Sequence, residues 1–150
     1  MNLQEELKAI KERIAELEVL AKGEQEFPKV GDKYWYIDTT GDVHDENWEC
    51  FSFEKATLEI GNVFSTKEQA EFAVEKLKVE AELRSLSDSW DLEKTQYTFS
   101  FNWEVGEFEI DYPDYNQYPG SYYFDSLDSW EQAIESVGEE RIKKYIFEVE

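Results

Sequence analysis

An α+β fold is predicted by three features of this 150-residue chain: apolar residues spaced by four and three near the N-terminus, a change to period two from Lys33, and a strand-then-helix pattern that occurs twice. The expected architecture is an N-terminal amphipathic helix followed by two related units, each an antiparallel hairpin plus a helix.

Leu3, Leu7, Ile10, Ile14, Leu17 and Ala21 fall on one helical stripe, and Gly23 followed by Pro28 ends it. Segment 1–24 therefore reads as a helix able to form a coiled coil. Its candidate dimer seam is Leu3, Leu7, Ile10, Ile14 and Leu17, with Lys8, Lys11, Glu12 and Glu16 on the solvated side. The stripe fits a second copy or its own domain equally well, because roughly three heptads are marginal alone.

In the first unit, 28–90, Tyr34 to Asp38 alternates as a strand, Thr39-Thr40-Gly41-Asp42 carries turn chemistry, and Val43 to Trp48 returns. Leu58 to Phe64 reads as a short extended segment. Thr66, with Gln69 three residues on, is a capping pair that opens a helix reaching Leu86. The broad apolar face of that helix is Ala70, Ala73, Val74, Leu77, Val79, Ala81 and Leu83, and the serines around Asp88 end the unit.

The second unit, 95–150, echoes the first. Phe64-Ser65-Thr66 is answered by Phe124-Asp125-Ser126, Ala73-Val74-Glu75 by Ala133-Ile134-Glu135, Leu77 by Val137 and Gly61 by Gly120. Gln96 to Trp103 and Glu107 to Tyr112 alternate around Gly106 as a second hairpin, and Pro113 and Pro119 fence the loop between them. The tail from Arg141 to Phe147 reads as a helical turn running into a closing strand.

Composition narrows the function. The net charge of −21 comes from 36 acids against 15 bases, which disfavours nucleic acid or an anionic membrane as a direct partner. The lone Cys50 excludes an internal disulfide and a multi-cysteine zinc site, and with no cation beside it in sequence it reads as a small core residue. No apolar run is long enough to span a membrane, and the charged N-terminus lacks a signal peptide's apolar core, so a cytoplasmic location is expected.

Familiar catalytic equipment is sparse. The single histidine, His44, lies near Asp38, Asp42, Asp45 and Glu46, but the segment lacks the ligand spacing of an EF-hand loop and reads as a solvated acidic turn. A catalytic or cation-binding use of Asp38, Asp42, His44 and Asp45 is the minor alternative. No phosphate-binding glycine motif is present. The chain is therefore read as non-enzymatic, with no catalytic residue, metal or cofactor.

The most informative stretch lies between Lys94 and Arg141, which contains no lysine or arginine yet interleaves acids with aromatic residues. Disordered acidic tails lack such aromatics, so this region should fold and hold a fixed negative surface. In Glu107-Phe108-Glu109-Ile110-Asp111, a strand would place three carboxylates on one face, about 6.7 Å apart, and turn Phe108 and Ile110 into the core. Such a row can stand in for phosphates. Glu104, Asp114, Asp125, Asp128 and Glu131 are the candidates for extending it, and Tyr112, Tyr115 and Tyr118 are candidate aromatic anchors or packing lids.

The run Lys33 to Asp38, the segment Leu58 to Lys78 with its Ala81-Glu82-Leu83 ending, and the tail from Ile134-Glu135 through Gly138 to Tyr145 with Glu148-Val149-Glu150 resemble a family of small acidic proteins of phages and prophages of Gram-positive bacteria. The resemblance covers most of the chain from residue 28 onward and brings no characterised catalytic residues. It implies a phage-type inhibitor of host defence, of the anti-CRISPR or DNA-mimic kind, acting in the host cytoplasm. The expected partner is a basic nucleic-acid-binding protein, such as a CRISPR effector nuclease. The alternative is an interaction adaptor or assembly accessory that dimerises or docks through the N-terminal helix.

Overall fold

The computed structural model describes residues 2–23, 27–113 and 117–150, and within them the chain is mixed helix and sheet, as expected. Helix α1 (Leu3–Gly23) opens it. The Asn2 side-chain oxygen accepts from the backbone N–H groups of Gln4 and Glu5 at 3.0 and 2.9 Å, and Glu5 accepts from the Asn2 N–H at 3.1 Å. These bonds satisfy donors that have no partner within the helix. No helix among the described residues is long and apolar enough to cross a membrane.

The chain divides into two compact units, Met1–Ala70 and Glu71–Glu150. In the first, β1 (Lys33–Ile37) pairs antiparallel with β2 (Val43–Asn47), from Lys33↔Asn47 to Ile37↔Val43. The turn is built by Asp38, whose Oδ1 accepts from the Thr40 and Asp42 N–H groups at 2.8 and 3.0 Å, with Gly41 at φ +89°. Phe64 adds a third element: its N–H and carbonyl are both 2.9 Å from their Trp35 partners. Asn62 extends that edge with its side chain, accepting from the Ile37 N–H and donating to the Ile37 carbonyl.

Two expectations fail in this unit, and one helix was missed, for identifiable reasons. Leu58 to Phe64 is not extended throughout, because helix α2 (Ser52–Glu59) precedes it and only Phe64 bridges a strand. The pattern hid α2 because its buried side chain is Glu54, while Phe53 and Leu58 are exposed. Cys50 is exposed rather than buried, since it sits at φ +65° where the chain turns from β2 into α2 and Trp48 has already taken the inward place.

Helix α3 (Lys67–Leu86) begins as expected, with the Gln69 N–H donating to Thr66 Oγ1 at 3.2 Å. The unit boundary falls inside this helix, not at the gap between 90 and 95 that the sequence suggested. Val79 and Leu83 are fully buried with Val137 and Ile142, and Phe72 packs on Tyr145 at 5.0 Å, so most of α3 is core to the second unit. Leu77 and Ala81, expected on the inner face, are exposed.

Strands β3 (Thr98–Asn102) and β4 (Glu107–Asp111) form the second hairpin, paired from Thr98↔Asp111 to Asn102↔Glu107. Phe124 repeats the role of Phe64, exchanging both backbone hydrogen bonds with Tyr97 at 2.8 and 2.9 Å. Gly61 and Gly120, ahead of these two phenylalanines, share φ +77°. Helix α4 (Leu127–Val137) follows, with Ser126 Oγ accepting from the Ser129 N–H, and turns inward Trp130, Ala133 and Val137. Helix α5 (Glu139–Tyr145) closes the fold. No strand follows it among the described residues, so the tail is helix without the expected closing strand.

Arg141 joins three helices of this unit. Its guanidinium donates to both Glu82 oxygens at 3.0 and 2.8 Å and to the Val137 carbonyl at 2.9 Å. The paired charge holds the Glu82 carboxyl below its ordinary range. Arg141→Ala should cost about 1 kcal/mol, since both partners are partly solvated. Urea denaturation of this variant, Glu82→Ala and the double mutant measures it, and additive losses would show that the two groups are not coupled.

Candidate carboxylate face

The hairpin β3–β4 sorts residues by strand alternation. Phe99, Phe101, Phe108 and Ile110 turn to one side, where Phe99 meets Phe124 and Trp130, and Phe101 and Phe108 meet Phe147. Ser100, Asn102, Glu107, Glu109 and Asp111 turn to the other. Glu107 and Glu109 are exposed and Asp111 is half-buried. The expected row therefore forms, about 6.7 Å between successive residues, on a strand backed by a layer of interlocked rings.

Local contacts hold the row in place without neutralising it. Asn102 Nδ2 donates to Glu109 Oε1 at 2.7 Å, and the Tyr112 N–H donates to Asp111 Oδ1 at 2.8 Å. Glu104 is exposed in the connecting turn, where its N–H donates to Asn102 Oδ1 at 3.0 Å. None of the ion pairs among the described residues involves Glu104, Glu107, Glu109 or Asp111. Lys143 is the cation whose field includes Glu107, but its ammonium is held 3.0 Å from Glu139 and lies over the Phe108 ring, on the aromatic side.

The other candidates do not join this face. Asp125 is committed internally: Gln96 Nε2 donates to one oxygen at 2.9 Å and Lys94 Nζ to the other at 3.1 Å. Those two donors, Gln96 foremost, hold its carboxyl below the usual range. Asp128 and Glu131 are exposed on α4, but α4 packs on the aromatic side of the hairpin, so its outward residues face away from the row. Asp114 and Tyr115 lie outside the described residues.

Comparison with protein-family models, with curated proteins and with solved structures finds no match.

Of the candidate anchors, Tyr112 is exposed but packs edge-on to Tyr97 at 5.3 Å, on the aromatic side. Tyr118 is fixed by its backbone, whose N–H and carbonyl both bond the Tyr123 hydroxyl. Trp103, absent from the candidates, is 68% exposed beside Glu104, but its ring is edge-on to Phe101 at 5.0 Å and so lies on the aromatic side as well, and Val105 is exposed next to it. Trp103 continues the Phe99, Phe101 alternation and counts in the sequence only as the end of the Gln96 to Trp103 strand segment. Its signal was the position one residue past Asn102, where the strand has already given way to the turn.

The acidic turn of the first unit forms a closed network. Asp38 Oδ1 accepts from Thr40 and Asp42, and Oδ2 lies 2.7 Å from His44 Nε2. These bonds, led by the Thr40 hydroxyl, hold the Asp38 carboxyl far below its ordinary value. Asp45 alternates to the opposite face and pairs with Lys33 at 2.9 Å. Among the described residues no group of three or more His, Cys, Asp or Glu side chains is arranged to hold a metal ion.

Proposed function

We propose that this chain is a non-enzymatic inhibitor of phage type. It docks the face formed by Glu104, Glu107, Glu109 and Asp111 onto a basic nucleic-acid-binding surface of a host defence protein, such as a CRISPR effector nuclease. The observation that carries the reading is the row of three carboxylates on one strand, none of them in an ion pair among the described residues. Charge of one sign at fixed spacing steers a cationic groove and sets its register.

The reading predicts binding that weakens steeply with salt. Glu107→Lys with Glu109→Lys should weaken binding to a guide-loaded effector nuclease by about tenfold or more, whereas Glu12→Lys with Glu16→Lys should leave it nearly unchanged. Interferometry at two salt concentrations measures both. Equal effects of the two double reversals would refute the assignment of the face.

A further inference from the structure

Helix α1 carries a surface that the carboxylate face does not use. Every described side chain of the helix is exposed, and its stripe is bare: Leu3, Leu7, Ile10, Ile14 and Leu17 are 85%, 53%, 57%, 50% and 49% exposed. The spacings of four and three place Leu7 and Ile14 at position a of a heptad, and Leu3, Ile10 and Leu17 at position d. Apolar residues aligned this way over the length of a helix are an association surface rather than scattered exposure.

Charge selects the occupant. The helix holds five acids, Glu5, Glu6, Glu12, Glu16 and Glu18, against four bases, Lys8, Lys11, Arg13 and Lys22, a net of −1 within a chain of −21. It is therefore the segment where two copies of this strongly acidic protein approach at least cost. The residues flanking the stripe are Glu6 and Arg13 at position g, and Lys11 and Glu18 at position e. Side by side, parallel and in register, position g of one helix meets the next e of the other. Glu6 then faces Lys11 and Arg13 faces Glu18, so every such contact between described residues joins opposite charges.

The antiparallel arrangement that overlaps the whole stripe sets Lys11 against Lys11 and Arg13 against Arg13. Sliding by a heptad escapes those contacts but gives up part of the apolar seam. Arg13 now reaches Glu16 on its own helix at 2.9 Å and would exchange that exposed contact for the interhelical one. Among the described residues Lys11 and Glu6 make no ion pair within the helix.

We infer that α1 is a self-association element, closing on α1 of a second copy as a parallel, in-register coiled coil. Sedimentation equilibrium of the full chain tests it, with a mass of twice 17.8 kDa expected. Ile14→Asp should return the protein to a monomer, and because Ile14 is exposed this change leaves the rest of the fold intact. Lys11→Glu puts two acids opposite each other on both sides of the seam and should weaken association about tenfold. Adding Glu6→Lys should restore it, an outcome particular to the parallel register. A monomer at millimolar concentration overturns the inference, as does a double swap no stronger than Lys11→Glu alone.

Discussion

Phe124→Ala should remove about 4 kcal/mol of stability, the largest loss expected from any single truncation in the second unit. The side chain is fully buried among Trp130 and Ala133 and meets Phe99 edge-on at 5.5 Å. Deletion would cost the transfer energy of the ring and leave a cavity against neighbours pinned by other bonds. The Trp130 indole N–H, for example, donates to the Thr98 carbonyl at 3.0 Å. The backbone of Phe124 also closes the bridge to Tyr97, and the chain continues directly into the Ser126 cap of α4. Chemical denaturation followed by tryptophan fluorescence measures the loss. Trp103→Ala is the control, since a side chain so exposed should shift stability by only about 0.5 kcal/mol. Equal midpoints for the two variants would show that Phe124 is not the centre of this core.

The repeated phenylalanine also shows what the sequence could and could not reveal. Alternation made both hairpins visible because polar and aromatic residues switch sides at every step, and Thr66 and Ser126 marked helix starts because a hydroxyl there has a specific backbone donor to satisfy. Helix α2 was invisible for the same reason in reverse: it buries a carboxylate and exposes Phe53 and Leu58, so no periodic signal points inward. At the candidate face, the row on β4 followed from period two alone. Whether Asp125, Asp128 and Glu131 joined it depended on which side of the hairpin α4 packs and on Lys94 and Gln96 reaching across from distant positions. Those are tertiary facts, and local spacing does not encode them. The same limit placed most of α3 in the wrong unit, since its burial is decided by residues more than fifty positions later.

Glu54→Ala should cost about 3 kcal/mol and change how the first unit responds to alkali. Glu54 is 2% exposed, and its carboxylate accepts from the Phe51 N–H at 2.8 Å, the Glu49 N–H at 3.1 Å and the Tyr34 hydroxyl at 3.3 Å. Truncation strands these donors where water cannot fully replace the lost acceptor, at about 1–3 kcal/mol for each group left unpaired. Glu54→Gln, which keeps one acceptor oxygen and the volume, should lose less. Burial, reinforced by the Glu54 charge, pushes the Tyr34 hydroxyl up to about 12. Below pH of about 10, Tyr34 is protonated both folded and unfolded, and its contribution is complete. Between about 10 and 12 the unfolded chain releases this proton while the folded chain retains it, so stability falls as pH rises through that window. The fall attributable to Tyr34 should be about 2 kcal/mol, read as the difference between the native protein and Tyr34→Phe, whose hydroxyl is gone. In Glu54→Ala the window should narrow but not vanish, because burial, the largest single cause of the shift, survives the substitution. Parallel alkaline curves for the native protein and Tyr34→Phe would mean that this hydroxyl is not held protonated by the fold.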